Sequence, residues 1–124
     1  MNKLEEQVKS ICEEHASDYD SGMSGFMSDL RQGGCQSGLI GSLTYYSDTV
    51  KFHDDFENEI WQLVYDNAQD QGINVMEFIT SLNGSDNVGG MDQLKNLLAW
   101  FAFEETAFRL FDNDWFYPDH IRQV

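Results

Sequence analysis

The chain reads as all-α, or nearly so, folded as one domain. Three observations lead there. Apolar residues recur at helical spacing in most segments between turn signals. Two of those segments begin with an Asn followed three residues later by a Glu, the pattern of a capping box. Only one proline, Pro118, interrupts 124 residues. A chain of this length, 41% hydrophobic and 14% aromatic, has material for one packed core. The expected architecture is a bundle of about five to six helices around a long apolar C-terminal helix.

The first helix is expected from Lys3 to His15, with Asn2 as N-cap, Glu5 completing the box, and Leu4, Val8, Ile11 and His15 on one face. The second runs from Ser21 to Gln32, turns Met23, Phe26, Met27 and Leu30 inward, and stops at Gly33-Gly34. Gly38 to Tyr46 is a short apolar segment, read as helical through Leu39, Ile40 and Leu43, although Thr44-Tyr45-Tyr46 also suits extended chain. Asp54 to Gln71 is the clearest amphipathic pattern, with Phe56, Ile60, Leu63, Val64 and Asn67 on one face and Gly72 as its stop. A short helix follows from the Asn74 cap, with Glu77 at its third position and Ile73 placed to staple against Phe78, and it ends at Asn83-Gly84. The longest helix is expected from Met91 to Phe111. One of its faces carries Leu94, Leu97, Leu98, Phe101 and Phe108, and another Trp100, Phe103, Ala107, Leu110 and Phe111. A helix apolar nearly all round is enclosed by other elements or paired with a second copy. The central position within the domain is the preferred reading.

Charge dominates the functional reading. Acidic residues number 22 against 7 basic ones, for a net charge of −15. Anionic lipid and nucleic-acid phosphates repel such a chain, so direct binding to either is disfavoured. No stretch approaches the roughly 18–20 apolar residues of a membrane span, and the first residues hold no apolar leader. Two cysteines make no disulfide framework, which points to a cytoplasmic protein. Acidity serves solubility in many proteins; here its distribution adds something. No Lys or Arg stands between Lys51 and Lys95. On a helix from Asp54, the residues Asp55, Glu59, Gln62, Asp66 and Asp70 fall within about 80° and rise about 22 Å. Asp54 and Glu57 lie beside them, and no basic residue is expected at i,i+4 to neutralise the line. Asp54, Asp55, Glu57, Glu59, Asp66 and Asp70 are therefore the candidate partner-binding residues. The partner such a line suits is a basic nucleic-acid-binding protein.

Other constellations are weaker. Glu105 interrupts the apolar face of the last helix, with Arg109 at i+4 to neutralise it. Cys35, flanked by glycines, would serve a small cysteine-dependent enzyme if a helix N-terminus lowered its pKa and one of His15, His53 or His120 acted as base. Cys12 and His15 make half a zinc site with no second half. Asp112-Asn113-Asp114 begins like a calcium loop but lacks its glycine and distal glutamate. No catalytic residue, metal ligand or cofactor is assigned. The aromatic tail Trp115-Phe116-Tyr117-Pro118 is read as core cover, with an exposed anchor for a partner as the alternative.

Two strings carry a resemblance. Gly34-Cys35-Gln36-Ser37-Gly38 with Tyr45-Tyr46-Ser47-Asp48-Thr49 is one, and Asn96 to Ala107 the other. Together they resemble a family of small uncharacterised acidic proteins carried by phages and mobile elements, similar in class to anti-CRISPR and antirestriction proteins. The resemblance carries no catalytic residues over. It implies a bacterial host cytoplasm and a non-enzymatic counter-defence inhibitor, an acidic mimic of nucleic acid on a CRISPR effector or restriction enzyme. The alternatives are an adaptor or assembly protein that homodimerises through the long aromatic helix, and the enzyme using Cys35.

Overall fold

The computed structural model describes residues 1–31, 49–84 and 89–111. These residues form six helices and no strand. They are α1 (Lys3–Ala16), α2 (Met23–Arg31), α3 (Thr49–Asp55), α4 (Glu57–Gln71), α5 (Val75–Asn83) and α6 (Met91–Phe111). The fold is all-α. The apolar segment expected from Gly38 to Tyr46 lies outside the described residues, as do Cys35, the aromatic tail and His120.

Local chemistry sets most helix ends. Asn2 accepts from the Glu5 amide at 2.8 Å, and the Glu5 carboxylate accepts from the Asn2 amide at 2.9 Å. Asn74 and Glu77 repeat the arrangement at the start of α5, at 2.8 and 3.3 Å. Each box satisfies two amides that a helix start otherwise leaves without partners. Gly72 ends α4 at φ +70°, a left-handed conformation that favours glycine. At the start of α6, the Gln93 side chain accepts from the Gly90 amide at 3.0 Å.

α6 packs against every other described helix. From Leu98 to Phe108 it is buried almost all round, with Phe101, Phe103 and Phe108 at most 1% exposed. Around it gather Leu4, Val8 and Ile11 of α1, Phe26 and Leu30 of α2, Phe52 of α3, Ile60 and Val64 of α4, and Phe78 of α5. The rings on which dimerisation through this helix would depend are thus largely used inside the chain. Its first two turns, Met91 to Leu97, are different and remain exposed or half-buried.

One expected helix is in fact two. The pattern read as starting at Asp54 begins at Thr49 and breaks at Phe56, whose φ −122° and ψ 27° leave the helical region. The reason lies in the spacing of the buried residues. Phe52, Phe56, Ile60 and Val64 are four apart, and on one straight helix such a row drifts by about 40° per step. The break leaves all four buried, with the rings of Phe52 and Phe56 5.2 Å apart.

Candidate partner-binding site

The break at Phe56 divides the six candidate residues. Asp54 and Asp55 belong to α3, not to the helix of the other four. Lys51 donates to both oxygens of Asp55 at 3.0 and 3.1 Å. An i,i+4 basic partner therefore exists where none was expected, since the true start of α3 brings Lys51 into helical register. Asp54 turns toward α6. The ammonium of Lys95 lies 2.9 Å from its Oδ1, and Nδ1 of the buried His53 lies 3.1 Å from the same oxygen. The Lys95 hydrogen bond, with that from His53 second, holds the Asp54 carboxyl below the usual range. Beside this pair, Thr49 Oγ1 donates to Asn96 Oδ1 at 2.7 Å. The Asp54 and Thr49 contacts tie α3 to α6 and the Asp55 pair lies within α3, so Asp54 and Asp55 already have partners within the chain. The continuous line of about 22 Å does not form.

Three carboxylates remain as a line. Glu59, Asp66 and Asp70 fall within about 40° of one another around α4 and span about 16 Å of its rise. Asp66 and Asp70 are exposed and Glu59 half-buried, while Ile60, Val64, Asn67 and Ala68 occupy the core face. Gln62 donates to Asp66 at 2.9 Å. Neither α4 nor α5 contains a Lys or Arg.

Glu57 stands apart, on the opposite flank of the exposed face of α4, with Trp61 and Tyr65. The two rings are 6.1 Å apart, and Tyr65 is 52% exposed. Trp61 and Glu57 border two adjoining depressions. One is a shallow trough along Asn58, Gln62 and Tyr65. The other is a groove of 410 Å³ closed by His53 and by Met91, Leu94 and Lys95 of α6. Sequence reading did not single out this groove. The aromatic pair at i,i+4 was the available signal, but the second wall comes from thirty residues further along and depends on helix packing. Glu57 is the carboxylate among the groove's described lining residues, and further acids act on its Lys95. The Asp54 hydrogen bond holds Lys95 above the usual ammonium range, and Asp92 and Glu57 act in the same direction.

Three further candidates, Glu105, Cys12 and His15, lie wholly or partly inside the packed helices. Glu105 is buried and is paired with the half-exposed Arg109, as the i,i+4 spacing anticipated. Cys12 is sealed in the core. His15 is half-buried, its ring 5.2 Å from that of Phe26, and its Nε2 is enclosed without a hydrogen-bond partner among the described residues. Desolvation lowers its pKa from 6.5, against the opposing fields of Asp18 and Glu14. The unfolded chain therefore takes up a proton more readily. The neutral ring's contribution is complete above about pH 6.5 and is lost as pH falls toward the folded value. Urea unfolding at pH 7.5 and 5.5 should show a loss of stability that is smaller in His15→Phe. An equal loss in both proteins would show that His15 has no part in it.

Among the described residues, no group of three or more His, Cys, Asp or Glu side chains is placed to hold a metal ion, and no helix is long and apolar enough to cross a membrane. No curated protein and no solved structure matches the chain. A family model does: the domain of unknown function DUF7222 matches residues 1–115, and the chain belongs to that family.

Proposed function

We propose that the protein is a non-enzymatic counter-defence inhibitor that occupies a positively charged nucleic-acid groove of a CRISPR effector or restriction enzyme. The observation that carries the reading is the line of Glu59, Asp66 and Asp70 on a helix that holds no basic side chain. Asp66 and Asp70 are about 6 Å apart along the axis, a little under two phosphate steps at about 3.4 Å per strand. Glu59 extends the line by two further turns. Three carboxylates are sparser than a phosphate strand, so specificity needs neighbouring contacts. The net charge of −15 supplies the long-range attraction. Such a field speeds encounter with a basic groove and weakens in salt. The phage and mobile-element resemblance supplies the setting in which such an inhibitor acts, the cytoplasm of a bacterial host.

The test is capture by the tagged protein from a defence-competent lysate at low and high salt, compared with the variant Glu59→Lys/Asp66→Lys/Asp70→Lys. The expected result is a salt-sensitive partner that itself binds DNA or RNA. The variant should lose it while keeping wild-type helicity and melting temperature. Full capture by the folded variant would remove the line from the mechanism. Capture that persists in strong salt would remove electrostatic mimicry altogether, because apolar contacts are not screened.

A further inference from the structure

We propose that the groove between α4 and α6 receives an arginine side chain from a basic segment of a partner protein, with the guanidinium laid on Trp61. The inference rests on the reading of a basic partner but concerns a different surface, across the exposed face of α4 from the acidic line.

Trp61 is half-buried and forms part of the groove's wall, Met91 at its rim is 65% exposed, and Leu94 is partly buried behind it. Apolar surface of this kind in a chain of net charge −15 is a place where contact yields dehydration as well as charge pairing. Aromatic residues and methionine are enriched where proteins bind proteins. The charge of the surroundings then selects the occupant. Three carboxylates, Asp54, Asp92 and Glu57, act on Lys95, the one ammonium among the described residues that line the groove. Lys95 is already bound to Asp54 and its side chain is only 24% exposed. The groove is therefore left with an excess of negative charge, borne at its rim by the exposed Glu57.

An apolar, aromatic-walled groove with an acidic rim excludes anionic ligands and offers a purely aliphatic segment no partner for its carboxylates. It matches a side chain with an apolar stem, a flat cationic head and hydrogen-bond donors at the end. Arginine has all three. Its guanidinium stacks on an indole face, and its fork reaches a carboxylate such as Glu57. Lysine shares the charge but not the planar head.

The test uses the full chain and two probes, a hexa-arginine and a hexa-lysine peptide, followed by NMR. Hexa-arginine should bind more tightly than hexa-lysine and move the Trp61 indole and Met91 methyl signals first. Trp61→Leu keeps the wall apolar and should weaken hexa-arginine binding about tenfold, while Trp61→Phe retains most of it. Circular dichroism establishes that each variant is folded. Signal changes spread evenly over the acidic helices, or a Trp61→Leu affinity within about twofold of wild type, would overturn the proposal. Its failure is separable from failure of the mimicry reading. If Trp61→Leu still captures the defence protein and the Glu59/Asp66/Asp70 reversal does not, the groove is dispensable and the acidic line stands. Loss in Trp61→Leu with capture intact in the reversal would place the contact in the groove alone.

Discussion

Replacing Phe101 by alanine should cost about 3–5 kcal/mol of stability, the largest single effect expected in this chain. Phe101 is 1% exposed and meets Phe78 of α5 edge to face, with ring centroids 5.2 Å apart and planes at 74°. Truncation removes the transfer energy of a whole ring and leaves a cavity lined by a helix that contacts every other described helix. No single neighbour can move in to fill it without leaving its own place. Small domains hold about 5–15 kcal/mol in total, so the variant should stand near the limit of folding, with a melting temperature lowered on the order of 10–20 °C. Phe101→Leu keeps most of the volume and should cost clearly less. Urea unfolding measures both. A loss below about 1 kcal/mol for the alanine variant would contradict the enclosure of α6.

The second large effect concerns Glu105 and Arg109, and its sign depends on which partner is removed. Arg109→Met withdraws the guanidinium from a carboxylate that is 2% exposed. Breaking a fully buried pair typically costs about 3–5 kcal/mol. Arg109 is half-exposed, so water can partly replace it, and a cost of about 2–3 kcal/mol is expected. Glu105→Leu takes away the charge that needs the arginine. The double variant Glu105→Leu/Arg109→Met should recover most of the loss, because the desolvated carboxylate is gone. A double-mutant cycle reads the coupling directly. If Glu105→Leu alone costs as much as Arg109→Met and the double variant sums the two, the carboxylate is held chiefly by another contact and the pair is incidental.

Helix starts were legible because their chemistry is local. Asn2 with Glu5, and Asn74 with Glu77, are three residues apart, and that spacing is sufficient to close both hydrogen bonds. Gly72 and Gly84 stop their helices for an equally local reason, a positive φ that other residues adopt reluctantly. The buried stripe of α1 and the nearly all-round burial of α6 also follow from periodicity, since a face that is apolar in sequence must be covered by something. The Asp54–Gln71 pattern misled because helical period does not report a break. Periodicity continued through Phe56 while its backbone left the helical region.

The site shows the same division. The sequence could order carboxylates along α4, because angle and rise around one helix depend only on residue number. It determined the helical class, most element boundaries, the acidity and the row of Glu59, Asp66 and Asp70 on a helix without Lys or Arg. The tertiary structure decided which acids were already engaged. Asp54 meets Lys95 across 41 positions, and Thr49 meets Asn96 across 47. It likewise built the groove by setting Trp61 opposite Met91 and Leu94. Contacts between helices depend on how each buried face settles against the others, and that packing is a property of the whole core rather than of any segment within it.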